Sequence, residues 1–217
     1  MCIRDSGTKV VVSGRDPQRF GGMVNPPVYH VSTVLVETVE QLKSRDQAEE
    51  SGKQEMTYGR RSTPTSWALE NAVAELEGGY RSLAFPSGLS AVSGDLITFL
   101  KAGDHLLMTD SVYAPTRIFC NNILKRFGVE TTYYDPLIGE EIETILRPNT
   151  SVVYTESPGS HTFEVQDIPA ISKVTHAHGA KILMDNTWAS PLFLNRLSMV
   201  WTFRFRQLQN TLSVIQT

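Results

Sequence analysis

Residues Ser82–Leu100 read "SLAFPSGLSAVSGDLITFL" and set a strand, a break and a helix in immediate succession. Ser82–Phe85 is a short β-like run, Pro86-Ser87-Gly88 stops it, and Leu89–Leu100 continues as a helix. The flanks repeat the alternation. Upstream, "TPTSWALENAVAELEGG" (63–79) has Thr and Ser start signals, apolar Leu69, Val73 and Leu76, and a Gly78-Gly79 stop. Downstream, "HLLMT" (105–109), "VETTYY" (129–134), "SVVYTES" (151–157) and "AKILMDN" (180–186) read as strands. Between them lie helices over 115–128, 139–146 and 168–179, the first with Pro near its start and Gly past its end. Strand and helix thus alternate five times over roughly 120 residues, which predicts an α/β domain: a mostly parallel sheet with helices on both faces.

Outside this stretch the grammar is looser. Residues 7–62 show little periodicity. "NPPVYHVSTVLVET" (25–38) holds a short β-like run behind a Pro pair, and "EQLKSRDQAEESGKQE" (40–55) reads as a solvated helix or loop in which Glu49, Glu50 and Glu55 form a solvated face. The first six residues, MCIRDS, resemble a spurious leader and are set aside. The expected organisation is an N-terminal segment over 1–62, an α/β domain over 63–195 and a distinct tail over 196–217.

Composition narrows the function classes. The 217 residues are 41% hydrophobic and 20% charged, with a formal net charge of −3, so no basic field exists to hold nucleic acid. No apolar run approaches the ~18–20 residues of a membrane span, and no secretory signal is visible. Cys2 and Cys120 give neither CxxC nor a disulfide framework, which suits a reducing cytoplasm. His176 and His178, two apart on a helix, do not converge on a metal.

In an open parallel sheet the ligand sits beyond the carboxyl ends of the strands, so the residues just after each strand are the candidates. Ser87-Gly88-Leu89 follows the first strand; it is either a tight turn that needs glycine or a cradle of backbone N–H groups for an anion. Tyr113 follows the second; it either caps the sheet edge or stacks on a flat ligand. Asp185 ends the last strand after four apolar residues. It is either a cap or salt-bridge partner of Arg60 or Arg117, or the counter-charge of a ligand cation. "TYGRR" (57–61) offers Tyr58 and Arg60, as a solvated basic turn or as a phosphate contact. Jointly these describe a ligand with a phosphate, a flat ring and a protonatable ring nitrogen. A Rossmann-type binding module fits poorly, because no GxGxxG follows the first strand.

With these residues in view, "YGRR", "ELEGG", "FPSGLSAV", "LMTDSVYAPT", "YYDPLIG", "ESPGSHTFEVQDIP" and "MDNTWASPLF", in this order, closely resemble the Cys/Met-metabolism family of pyridoxal 5′-phosphate (PLP) enzymes. The similarity runs from about Gly7 to Asn195. "ESPGS" and "DPLIG" favour its bacterial cystathionine β-lyase branch; the γ-synthase and γ-lyase branches more usually carry a "TPSNP"-like stretch. The resemblance implies a PLP-dependent transferase fold of type I, a homotetramer and a PLP cofactor. It places Gly88 and Leu89 on the PLP phosphate with Ser87 beside it. Tyr113 would stack on the ring as the catalytic aromatic, Asp185 would hold the ring nitrogen, and Tyr58 and Arg60 would meet the phosphate of a neighbouring subunit. The implied substrate is a small amino-acid thioether: L-cystathionine, cleaved to homocysteine, pyruvate and ammonia in methionine biosynthesis. The family's Schiff-base lysine and its C-terminal small domain have no counterpart here, since no lysine follows Lys181. As written, the chain is then expected to be inactive, a fragment that at best binds PLP weakly.

The tail carries its own explanation. Arg196–Thr217, "RLSMVWTFRFRQLQNTLSVIQT", mixes Trp, Phe, Arg and Gln with no clear period. Back-translated with allowed codons and read in the neighbouring frame, it gives AQHGVDFSIQAATKYIVGHSD. That is the family's missing lysine motif, with the lysine codon straddling Gln209 and Asn210. The tail is therefore expected to be an out-of-frame translation that packs poorly and leaves Trp201, Phe203 and Phe205 as an aggregation hazard.

Overall fold

The computed structural model describes residues 6–189, and the backbone strands 203–206 and 212–215. The chain divides into two compact units, Met1–Val73 and Ala74–Thr217. The second contains a seven-stranded sheet. Its strands are β1 (Arg81–Ala84), β2 (His105–Thr109), β3 (Glu130–Tyr134), β4 (Thr150–Glu156), β5 (Lys181–Asp185), β6 (Phe203–Arg206) and β7 (Leu212–Ile215), in the order β1-β7-β6-β5-β4-β2-β3. The run β3-β2-β4-β5-β6 is parallel throughout, while β7 is antiparallel to both neighbours. Parallel strands need crossovers, and the intervening helices supply them. These are α4 (Gly88–Phe99), α5 (Ala114–Asn122) and α6 (Ile168–His178), with α1 (Ser6–Val12), α2 (Val39–Glu50) and α3 (Pro64–Glu77) earlier in the chain. The segments 124–127 and 139–145, expected as parts of helices, form 3₁₀ turns instead.

The core explains why the central strands read as almost unbroken apolar runs. Leu106, Met108, Val152, Tyr154 and Leu183 pack on one face with Ala91, Val92 and Leu96 of α4 and Cys120 of α5. Leu107, Val153 and Ile182 point the other way and meet Ile171 of α6 and Ile142 of the 3₁₀ turn. Side chains alternate faces at period two, so a strand covered on both sides must be apolar at every position. Each fully buried Leu, Ile or Val stabilises the fold by roughly 1.5–3 kcal/mol relative to exposure. Both faces are covered, as the alternation of strands and helices predicts.

Three expectations need correction. The β-like run within 25–38 forms no strand; only an isolated bridge joins Thr33 to Tyr58. Val28, Tyr29, Val31 and Leu35 in that run are exposed, since no neighbouring strand among the described residues offers a ladder to complete. Glu49 is more than a solvated face. It accepts from Thr57 Oγ1 at 2.7 Å and pairs with Arg61 at 2.5 Å, and both bonds help hold its pKa below the ordinary value. Finally, the tail is not excluded from the sheet: β6 pairs with β5, and β7 lies between β6 and β1. The missed signal is the alternation in Phe203-Arg204-Phe205-Arg206, which is strand-like at period two. Met1–Asp5, the stretch Ser190–Thr202 that includes Arg196 and Trp201, and the lysine-codon positions Gln209 and Asn210 lie outside the described residues.

Candidate active site at the carboxyl edge of the sheet

Three candidate segments of the second unit follow directly from the ends of β1, β2 and β5. Ser87 is the N-cap of α4. Its hydroxyl accepts from Ser90 N–H at 3.2 Å, while Ser90 Oγ in turn accepts from Ser87 N–H at 3.0 Å, a closed capping box. The box commits the Ser87 side chain to the helix. The amides of Gly88 and Leu89, in the first helical turn, have no intrahelical carbonyl to reach and carry the positive end of the α4 dipole. An anion there would be held by backbone, with Ser87 shaping the cradle.

Tyr113 is the N-cap residue of α5 and is 40% exposed, so its ring stands available at the surface. Its own N–H donates to Glu156 Oε2 at 2.8 Å. The carboxyl group of Glu156 thereby anchors the backbone of the N-cap residue, whose own side chain makes no cap bond.

Asp185 closes β5. Its Oδ1 accepts from Thr187 N–H at 2.9 Å and from the Thr187 hydroxyl at 2.6 Å. Burial raises its pKa, and the two Thr187 bonds oppose that rise. Among the described residues no ion pair includes Asp185, and Arg117 is occupied by Asp110 at 2.6 Å. A half-buried carboxylate without a cation is a costly arrangement that a protonated ligand nitrogen would relieve. This chemistry fits a pyridinium ring, and the α4 amides fit a phosphate.

Tyr58 and Arg60 belong to the first unit. The Tyr58 hydroxyl accepts from Ser32 Oγ at 3.0 Å, and the Arg60 guanidinium lies 5.5 Å from the Tyr58 ring centre. Gly59 between them is obligatory, because a Cβ there would sit 2.0 Å from the Val31 carbonyl oxygen. The two arginines differ: Arg61 is committed to Glu49, whereas Arg60 has no carboxylate partner among the described residues.

Glu156 is the residue that strand-end reasoning passed over. It lies in register with Asp185 on the adjacent parallel strand and is 5% exposed. Burial first, then the charge of Asp185, pushes its pKa up to about 8, against the opposing Tyr113 amide. The rule that picked Asp185, a carboxylate ending an apolar strand, also fits "SVVYTE". After Glu156 the chain turns back over β2: Ser160 N–H donates to the Ser111 carbonyl at 2.8 Å, and a Cβ on Gly159 would stand 2.5 Å from Ser111 Oγ. Phe163 then meets Trp188 edge-on at 5.2 Å.

The raised pKa has a sign that experiment can check. The folded chain holds the Glu156 proton more tightly than the unfolded chain. Its contribution to stability is therefore full below the unfolded value near 4.5 and is lost as pH rises to about 8. Chemical denaturation should show wild-type stability falling across this window, by at most about 5 kcal/mol from this group. Glu156→Gln should remove that part of the slope and become the more stable form above about pH 8.

Among the described residues no helix is long and apolar enough to cross a membrane. A family model described as Cys/Met metabolism PLP-dependent enzyme matches residues 7–200. A putative cystathionine beta-lyase of Rhizobium johnstonii is 50% identical over 190 residues, 88% of this chain and 46% of that protein. The cystathionine beta-lyase of Haemophilus influenzae is 40% identical, over 89% of this chain and 49% of its own length. The crystal structure of metB from Corynebacterium glutamicum superposes with a TM-score of 0.86 at 26% identity, over 99% of this chain and 56% of that one. The chain spans about half the length of the curated relatives it matches.

Proposed function

Because the chain belongs to the Cys/Met metabolism family of PLP-dependent enzymes, we propose that the protein it represents is a carbon–sulfur lyase acting on L-cystathionine. The reaction is α,β-elimination: the Cβ–S bond breaks, homocysteine leaves, and with one water the remaining fragment yields pyruvate and ammonia. The observation that carries this reading is the shared sheet edge, with a cation-seeking carboxylate at Asp185, free amides at Gly88 and Leu89, and the exposed ring of Tyr113. The names of the similar proteins support the β-lyase assignment over other activities of the family.

In this reading Gly88 and Leu89 hold the phosphate through their N–H groups, and Ser87 keeps that turn in shape. Tyr113 covers one face of the ring. Asp185, oriented by Thr187, holds a proton on the ring nitrogen. PLP, when bound, supplies an electron sink for charge left at the substrate Cα. Tyr58 and Arg60 contact the phosphate bound by a second copy of the chain, within a homotetramer in the cytoplasm. The unpaired state of Arg60 suits that role. Arg60→Ala should weaken PLP retention about tenfold or more, one charge-assisted phosphate contact being worth ~1.5–3 kcal/mol. Thermal unfolding of the apo form should not move. Equal PLP dissociation constants for variant and wild type would remove Arg60 from the site.

A second reading concerns the chain as written. In it, these residues bind PLP weakly and without the family's covalent lysine, since none follows Lys181 in this stretch. The two readings join if Arg196–Thr217 is an out-of-frame translation of the lysine segment. The test supplies cystathionine to full-length protein in the restored frame and identifies the keto acid. Pyruvate with homocysteine supports a β-lyase; 2-oxobutyrate with cysteine would assign a γ-lyase-type enzyme instead.

A further inference from the structure

We infer that Glu156 is a positioning residue: its carboxyl group locks Tyr113 in place at the sheet edge beside Asp185. The inference rests on the PLP-site reading above for its purpose, and on this chain's own geometry for its existence.

The geometry has three parts. First, Glu156 Oε2 accepts the Tyr113 N–H at 2.8 Å, so β4 grips the N-cap residue of α5. The Tyr113 side chain makes no cap bond of its own, and its ring is 40% exposed, so the anchored backbone helps to set its orientation. Second, Glu156 is itself held. Gln166 Nε2 donates to the Glu156 carbonyl at 2.8 Å, and Gln166 N–H donates to Ser157 Oγ at 3.0 Å. The Tyr134 hydroxyl closes the far side on Gln166 Oε1 at 3.1 Å. Third, Glu156 and Asp185 stand in register on adjacent parallel strands, where side chains share a face. A carboxyl group at this place binds the backbone of Tyr113 and stands beside Asp185 on the neighbouring strand.

Charge gives the arrangement its second property. The titratable groups nearby are Asp185 on β5 and the Tyr154 hydroxyl two residues back on β4. Asp95 of α4 and Cys120 of α5 act on Tyr154. None is cationic. With its pKa near 8, Glu156 is mostly protonated at neutral pH and still accepts the Tyr113 N–H through its carbonyl oxygen. Asp185 then has a neutral neighbour on β4 in place of a second carboxylate.

The test uses the intact chain, selectively ¹⁵N-labelled at tyrosine, with the Tyr113 amide identified by its loss in Tyr113→Phe. Its nitrogen shift is followed from about pH 5.5 to about pH 9.5, in apo protein, for wild type and for Glu156→Gln. The expected result is a titration with midpoint near 8 in the wild type and a flat profile in Glu156→Gln. PLP dissociation constants complete it. Glu156→Ala should weaken binding about tenfold, whereas Glu156→Gln, which still offers an acceptor oxygen, should stay within about threefold of wild type. A flat wild-type amide, an unchanged titration in Glu156→Gln, or wild-type PLP affinity in Glu156→Ala overturns the inference. Failure of the wild type to bind PLP counts against the functional reading alone, and the amide titration then decides the Tyr113–Glu156 link by itself.

Discussion

In full-length protein with its lysine segment in frame, Asp185→Asn should lower cystathionine turnover by about 10²–10³-fold, the scale at which one preorganised charge contributes to catalysis. The carboxylate is half-buried, braced by two bonds from Thr187, and without a cation among the described residues. Such a group is expensive to keep unless a positive charge arrives to meet it. Asparagine keeps the shape and the Thr187 contacts but cannot hold a proton on a ring nitrogen. PLP should still bind through the α4 amides, so the loss should appear in kcat with bound PLP close to stoichiometric. Steady-state kinetics beside a cofactor absorbance spectrum separate the two. Near-normal turnover in Asp185→Asn would remove Asp185 from the mechanism.

A larger, all-or-none effect is expected from the tail. Adding one base after the Asn195 codon, so that Arg196–Thr217 becomes one residue followed by AQHGVDFSIQAATKYIVGHSD, and continuing in that frame should give a protein that retains PLP on one lysine after borohydride reduction. The chain as written should retain none at a specific position, because covalent attachment needs an amine at the site. Peptide mass spectrometry of the reduced protein reads both. A single modified lysine in the unaltered chain, among those up to Lys181, would show that the shifted segment is not required. Among the described residues β1 joins the sheet through β7, which lies between it and β6.

The fold was legible where one physical rule dominates. Strands covered on both faces must be apolar throughout, so β2, β4 and β5 stand out in "HLLMT", "SVVYTE" and "KILM", and Gly or Pro marks the turns between them. The same logic failed for residues 25–38. Val28, Val31 and Leu35 have strand-like composition, yet composition cannot supply the partner strand, and the run stays exposed. In the tail, the four alternating residues 203–206 sit inside a stretch of sequence with no clear period, which hides them. Asp185 could be found because it ends a strand, and Tyr113 because it lies in the turn that follows one. Glu156 obeys the same rule, but its importance lies in a cross-strand register with Asp185 and in the Tyr113 amide, both long-range relations. The separation of Arg60 from Arg61 likewise depends on Glu49 folding back from α2 onto one of them.

The measurement that bears most directly on the account is sequencing of the source DNA across codons 185–217. The account predicts one additional base just after the Asn195 codon, opening a frame that reads "ATKY" and continues into a C-terminal domain. The protein is then a complete PLP-dependent lyase with its lysine following Asp185. A frame that stands as written, without that base, would contradict the account and move the search for this chain's activity outside PLP catalysis.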